Sequence, residues 1–342
     1  MANFFGRLIC WIVLSLFTLV AKAQNGRGND SAYYIYFPNS ITARLYTSQK
    51  YSRFNLKAKN ALTLHYLPNT TFNLGIGATY HNFSLNLAYG FGFLNPGKKT
   101  NKSRYLDLQT HFYQPKWVTD VYGQLYKGFH LPGSFNEPVK NYYRKDLQLY
   151  LFGLSRYYIF NSEKFSYRAS FKQNELQKKS AGTLLAGLEL YYGIVKADSN
   201  LIPKSVNEKY PQKNLTKINY LSIGPGIGYA YTQIMARHFF ITGSITGNLA
   251  FSFANEHLKY NSSAHFSLNP VTRFRIATGY NTNSWNVSAN WVFDNLLFAG
   301  EKSNTAYWFN TGNLRVAIAK RFYGGSKLKK LLKPLDKIFK DE

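Results

Sequence analysis

The stretch Thr71–Leu94, TFNLGIGATYHNFSLNLAYGFGFL, contains no Asp, Glu, Lys or Arg and alternates between two unlike kinds of residue. Successive side chains leave an extended strand on opposite sides. One side of the first half carries large apolar residues and the other carries Asn, Gly and Thr, and the alternation restarts after His81 and Asn82. We therefore predict a β-hairpin with one oily face and one small or polar face.

The same alternation recurs in long segments that have no helical pattern between them. Further predicted strands are Arg53–Tyr66, Tyr105–Phe112, Trp117–Tyr126, Asp146–Phe160, Ala181–Lys196, Lys217–Ile234, Phe239–Phe253, Ala264–Tyr280, Trp285–Phe298 and Ala306–Tyr323. Strands in soluble proteins usually have about 5–6 residues. Long strands with one apolar face are typical of membrane-spanning barrels, in which closure satisfies the backbone amides.

The predicted fold class is therefore all-β, a transmembrane antiparallel up-and-down β-barrel. The apolar column of each strand, including Phe54, Leu56, Leu64 and Tyr66 in the first one, is expected to face lipid. The polar column is expected to face the lumen. Alternation alone would also suit a soluble β-sandwich, which stays open as an alternative.

The connections between segments favour a barrel of about twelve strands, and strand counts from about ten to fourteen stay possible. Long connections at Asn95–Lys102, Lys127–Lys145 and Ala197–Thr216 alternate with tight turns such as Gln114–Lys116 and Asn161–Lys164. In bacterial barrels the short turns face the periplasm and the long loops face outward.

The chain is predicted to have four parts. The first contains a basic residue, Arg7, followed by the apolar run Leu8–Val20, and ends at Ala21-Lys22-Ala23, as a secretory signal peptide does. The last has leucines at helical spacing between lysines, which suggests an amphipathic helix or a flexible tail. The predicted parts are the signal peptide 1–23, a periplasmic segment 24–52 with an extra strand at 41–48 left open, the barrel 53–323 and a basic periplasmic tail 324–342.

The charge balance is strongly basic, with 42 Lys+Arg against 16 Asp+Glu and a formal net charge of +26. An exported protein meets anionic lipid and glycolipid head groups rather than a genome, so we expect outer-membrane lipids as partners and no nucleic acid. The single cysteine, Cys10, lies in the predicted signal, and the histidines are scattered, so no disulfide, metal or cofactor is expected. We expect a monomer in the cell outer membrane.

Nine charged residues fall on predicted inward positions or in a polar connection, and they are the lumen-lining candidates. They are Asp107, His111, Asp120, Arg168, Glu189, Arg273, Arg275, Asp294 and Arg315. They could select or bind a small anionic solute. Because an unpaired charge in a dry interior is costly, we favour pairing between the arginines and the acids.

Two of these candidates lead to further alternatives. Arg168 lies in the densely polar stretch FSYRASFKQNELQKKSAG, which either narrows a pore or forms a solvated rim. His111 shares its face with Asp107 and lies near Asp120, which raises the alternative of a lipid-modifying enzyme. Such an enzyme needs a serine beside the histidine, and no serine here lies in a recognisable nucleophile motif.

Three stretches resemble a known family. LHYLPNTTFNLGIGATY (Leu64–Tyr80), YLDLQTHFYQPKWVTDVYGQLYKGF (Tyr105–Phe129) and IFNSEKFSYRASFKQNELQKKSAG (Ile159–Gly182) are similar to an uncharacterised family of Bacteroidota outer-membrane barrels, domain of unknown function 4421. The resemblance implies an outer-membrane barrel and brings no activity, ligand or functional residue. The sequence thus predicts a narrow channel or a structural or docking barrel, with a lipid-modifying enzyme and a secreted soluble β-protein as alternatives.

Overall fold

A computed structural model describes residues 28–37, 40–80, 83–96, 102–132, 142–302 and 305–323. The predicted signal peptide 1–23 and the predicted tail 324–342 lie outside these residues. Within them the chain forms one short α-helix, α1 (Tyr167–Phe171), and two 3-10 turns, Gly92–Leu94 and Lys204–Lys209. No helix in this part of the chain has the length and apolar character needed to cross a membrane.

The rest of the described chain is almost entirely β-structure. The strands are β1 (Tyr34–Tyr36), β2 (Ser40–Lys57), β3 (Leu64–Pro68), β4 (Phe72–Tyr80), β5 (Phe83–Tyr89), β6 (Arg104–Tyr113), β7 (Trp117–Leu131), β8 (Tyr142–Ile159), β9 (Glu175–Gln177), β10 (Ala181–Lys196), β11 (Leu215–Met235), β12 (Phe239–Leu258), β13 (Ser262–Asn281), β14 (Trp285–Ala299) and β15 (Ala306–Tyr323).

Ten of the described strands close into an antiparallel barrel, in the order β2, β3, β7, β8, β10, β11, β12, β13, β14, β15. The ring closes where β15 pairs with β2, from Tyr323 opposite Ser40 to Ala306 opposite Lys57. β4, β5 and β6 attach to this ring through β2 and β7. β3 and β4 both pair antiparallel with β2 and run in the same direction, as two parts of one interrupted strand. Because neighbouring strands around the ring are antiparallel and the ring closes, the prediction of an up-and-down transmembrane barrel is confirmed.

The outer surface of the barrel is apolar. On β11, Ile227 is 74% exposed, while its neighbours Gly226 and Gly228 point inward. β12 and β13 repeat this pattern, with Ile245 and Phe266 among the outward residues. A soluble sandwich would bury these side chains, so that alternative is wrong.

At one end of the barrel the predicted orientation is wrong. Phe54, Leu56, Leu64 and Tyr66 were expected to face lipid, but all four are fully buried inside. They join inward aromatic side chains from other strands, and residues from the long connection between β10 and β11 pack against them. We call this group the loop-end cluster: Phe54, Leu56, Leu64, Tyr66, Leu201, Ile202, Tyr210, Tyr220, Phe298, Tyr307 and Phe309.

The physical reason for this error is that the interior at the loop end is dry. The rings of Tyr220 and Phe298 stack with centroids 4.6 Å apart, and those of Tyr220 and Phe309 are 5.1 Å apart. On this part of β2 the polar residues Arg53 and Lys57 are exposed on the outside, while aromatic rings fill the inside, so the polar column no longer marks the inside.

The barrel also begins earlier than predicted. The expected strand Arg53–Tyr66 is divided between the end of β2 and β3, with a turn between them. The extra strand at 41–48, which the sequence analysis left undecided, is part of β2, so the barrel starts at Ser40 and not at residue 53. Counting 41–48 as a separate strand gives an odd number of strands, which disfavours it in a bacterial barrel. In the structure Arg44, Ser48 and Ser52 are buried inward residues of β2.

The connection between β8 and β10 folds into the barrel. The predicted tight turn Asn161–Lys164 is only its beginning, and the segment contains α1 and β9, which pairs with β1. We call residues 160–180 the plug. Tyr167, Arg168 and Gln173 within it are almost completely buried, so the predicted solvated rim is wrong. The plug lies at the end that also carries the short turns, which we call the turn end.

Candidate functional site

The middle of the barrel contains a buried network of charges. Arg273 lies directly opposite Asp294 in the β13–β14 ladder, and both point inward because of strand phase. The guanidinium of Arg273 bonds the Asp294 carboxylate, lies 3.2 Å from Asp120 Oδ2 and lies 3.8 Å from Glu189 Oε1. Arg275 also bonds Asp120. We call these five residues the central network.

Five predicted candidates thus meet in one place. The arginines and acids pair with each other, as the favoured sequence interpretation held, and neutral donors complete the shell. Tyr157 and Tyr191 donate to Glu189 at 2.8 and 2.6 Å. Because buried carboxylates need several partners to offset their desolvation, this arrangement is that of a structural network.

His111 joins the network from the neighbouring strand. It stands opposite Asp120 in the β6–β7 ladder, with its Nδ1 2.6 Å from Asp120 Oδ1. Its side chain is 35% exposed, in contrast to the buried aspartate. Ser155 lies close by, but its hydroxyl contacts Asp120 and Arg273. The serine–histidine contact required by the enzyme alternative is not present among the described residues.

A small cavity of about 20 Å³ lies beside this network. Its lining includes Gln109 and His111 on β6 and Asn313 on β15. That volume holds about one water molecule. The cavity therefore offers no room for a solute of the size that a channel would carry.

Asp107 and Arg168 lie apart from the central network. The Asp107 carboxylate accepts from Lys50 at 3.0 Å, from Tyr126 at 2.7 Å and from Gln124 at 3.0 Å. Arg168, in the plug, pairs with Glu175 at 3.3 Å. Neither residue lines an open passage in the described structure, and a role in solute passage stays a prediction for all nine candidates.

Arg315 and Arg44 form a second, more cationic region towards the turn end. The Arg315 guanidinium stacks on the Tyr46 ring at 4.5 Å and has no carboxylate partner among the described residues. Arg44 donates to Asn86 Oδ1 at 3.3 Å and to the Lys172 carbonyl at 3.0 Å, both neutral acceptors. Sequence reasoning missed Arg44 and Lys50 because β2 was not recognised as a barrel strand.

Lys172 is expected to make the stability of the plug depend on pH. Burial, with the nearby cations Arg168 and Arg44, lowers the pKa of Lys172 from 10.5 to about 7, against the opposing effect of Glu175 and Asp120. Between about pH 7 and pH 10.5 Lys172 is mostly neutral in the folded protein but charged in the unfolded chain. The folded protein therefore binds fewer protons, and the free energy of unfolding rises with pH over this range. Below about pH 7 this pH-dependent gain in stability is absent. We expect the unfolding midpoint in detergent to rise between pH 6 and pH 9.

The Lys172→Met variant is expected to flatten this pH dependence. Lys178→Met is the matched control, since Lys178 lies in the same segment, is exposed, and donates its ammonium group to the Ser31 carbonyl. An unchanged pH slope in Lys172→Met would contradict the assignment.

Comparison of the sequence with models of known protein families gives one match. The family model described as a domain of unknown function, DUF4421, matches residues 28–322. No curated protein matches the sequence. In the described residues no three His, Cys, Asp or Glu side chains are grouped as metal ligands.

Several solved barrels are similar in outline. The outer membrane protease OmpT from Escherichia coli has 10% identity and a TM-score of 0.41, covering 84% of this chain and 98% of that one. The P. putida toluene transporter TodX has 8% identity and a TM-score of 0.24, covering 84% and 92%. Neisserial surface protein A has 8% identity and a TM-score of 0.23, covering 81% and 96%. Overlaps of this size do not support a functional comparison.

Proposed function

The chain belongs to the family of the domain of unknown function DUF4421, whose model matches residues 28–322, and we propose that it is a non-conducting outer-membrane β-barrel with a structural or docking role. The observation that carries the proposal is that the interior is filled in three successive layers. These layers are the plug, the central network and the loop-end cluster. A narrow channel would require an opening through all three layers.

The plug is fixed to the wall by hydrogen bonds from several strands. Arg321 on β15 donates to the Gln173 carbonyl at 3.0 Å. Tyr167 and Ser170 contact inward hydroxyl groups of β12, each at 2.6 Å. Removing the plug would leave these buried donors and acceptors without partners, which disfavours spontaneous opening.

The outer-membrane assignment rests on the apolar exterior and on the predicted signal peptide. Lipid-facing Leu, Ile and Phe side chains cover the wall, and the strands pair into a ring that closes through β15 with β2 and through β3 with β7. Such a cylinder is stable in a bilayer and would aggregate in water. The predicted tight-turn end would then face the periplasm, together with the described N-terminal strand β1.

The conductance of the purified protein tests the proposal. In a planar bilayer we expect no current steps above the lipid baseline, because the cavity beside the central network holds about one water. Insertion is verified separately by protease protection. Heat-denatured protein serves as the control for contaminating porins, and stable steps that disappear in an Arg273→Ala variant would contradict the proposal.

A further inference from the structure

The barrel wall is incomplete between β5 and β6. β5 pairs with β4 and β6 pairs with β7, but no pairing between β5 and β6 occurs in the described residues. Above this gap the wall closes again, since β3 pairs with β7 through Leu67–His130 and Pro68–Phe129. Two strand edges therefore face each other at membrane depth, where unpaired backbone groups are costly.

The gap reaches the barrel interior. Ala88 lies on the inward side of β5, between the outward Leu87 and Tyr89, and yet it is exposed. Across the gap His111, on the inward side of β6, is 35% exposed. Inward residues at other positions of the wall, such as Thr242 and Ser252, are fully buried. The inner faces of β5 and β6 are thus open to a molecule outside.

The interior behind the gap is positively charged. Arg44 contacts Asn86 on the inner face of β5, and Lys172 lies 5.6 Å from the ring centroid of Tyr113 at the end of β6. Arg315 stacks on Tyr46 without a carboxylate partner in the described part of the chain. The nearby carboxylates of Asp120 and Glu175 are already bonded to other arginines.

The rim of the gap is aromatic and apolar. The rings of Tyr89, Phe91 and Phe93 follow one another with centroid distances of 5.0 and 5.5 Å. Leu106 and Leu108 are exposed on the opposite edge. A molecule that suits both parts has an anionic head and an apolar chain.

We propose that the gap between β5 and β6 is a lateral port that binds an anionic membrane lipid, with its phosphate near Arg44 and Arg315. The acyl chains lie along the Tyr89–Phe93 rim. A lipid is favoured over free phosphate because both barrel ends are closed and the gap opens into the apolar surface. The lipid head offsets the unpaired arginines and supplies acceptors for the free strand edges.

Native mass spectrometry of the detergent-solubilised full chain tests this proposal. Phosphatidylglycerol and phosphatidylcholine are added in parallel, and we expect retention of one phosphatidylglycerol. The Arg44→Gln and Arg315→Gln variants should each weaken retention by roughly tenfold to a hundredfold, as for one charge-assisted hydrogen bond. Arg156→Gln is the matched control, because Arg156 stacks on Trp117 on the outer surface at 4.5 Å.

Photo-crosslinking of the wild-type protein gives an independent readout that does not depend on variant folding. A phosphatidylglycerol with a photoactivatable chain should crosslink mainly to residues 84–96 and 102–113. Equal binding of both lipids, equal loss in Arg156→Gln, or displacement by inorganic phosphate would overturn the proposal. A dimer formed through β5 and β6 edges would overturn it too, because a second chain would then cover the gap. The conductance measurement tests the proposed non-conducting function, and its result neither supports nor contradicts lipid binding at the gap.

Discussion

Replacing Arg273 with alanine is expected to destabilise the folded barrel by about 3–5 kcal/mol, the usual cost of removing one partner of a buried ion pair. Arg273 contacts Asp120, Glu189 and Asp294, and their carboxylates are almost completely buried. Without the Arg273 guanidinium, Arg275 is the one remaining arginine of the central network, which still contains three buried carboxylates. Urea unfolding in detergent micelles, followed by tryptophan fluorescence, measures the change.

Two further variants separate this charge effect from simple loss of volume. Arg156→Ala removes a cation–π contact on the outer surface and should cost only about 0.5–1 kcal/mol. Adding Asp294→Asn to Arg273→Ala should recover part of the lost stability, because one uncompensated charge is removed with the arginine. If the double variant were less stable than Arg273→Ala, the network would not be held by charge pairing.

Replacing Ile227 with arginine is expected to cost about 2–4 kcal/mol if this position lies near the membrane midplane. Ile227 is 74% exposed in the middle of β11, with inward glycines on both sides. The change should reduce the free energy of unfolding in phospholipid vesicles and slow assembly into them. Refolding yield, followed by the heat-dependent gel shift of folded barrels, reports both effects.

Tyr260→Arg provides the control for this experiment. Tyr260 is 84% exposed in the short connection between β12 and β13, outside the strands. The same substitution there should change the unfolding free energy by less than about 0.5 kcal/mol. Equal effects at both positions would mean that Ile227 does not contact hydrocarbon.

Strand phase could be predicted from the sequence wherever lipid and a polar interior lie on opposite sides. On β11, β13 and β14 the outward apolar residues and inward small or charged residues follow the predicted columns. The central network could be anticipated for the same reason, since Arg273 and Asp294 are charged residues in inward phase.

The remaining features depend on contacts between distant parts of the chain. Phe54 and Tyr66 point inward because Tyr220, Phe298 and the β10–β11 connection provide an apolar environment there. The plug had a local signal in its dense polarity, but the strands that bind it are remote in sequence. No feature of the sequence predicts the gap, because apolar and polar residues alternate along β5 and β6 in the same way whether or not the edges of these strands pair.

The location of the plug has a consequence for the order of assembly. It is held by β1 and Arg44 from the beginning of the chain and by Asn281 and Arg321 near its end. The seam between β2 and β15 joins segments more than two hundred residues apart, and such distant contacts are slow to form. Insertion of the plug and sealing of the cylinder are therefore coupled events, and a nascent chain that lacks its last strand can complete neither.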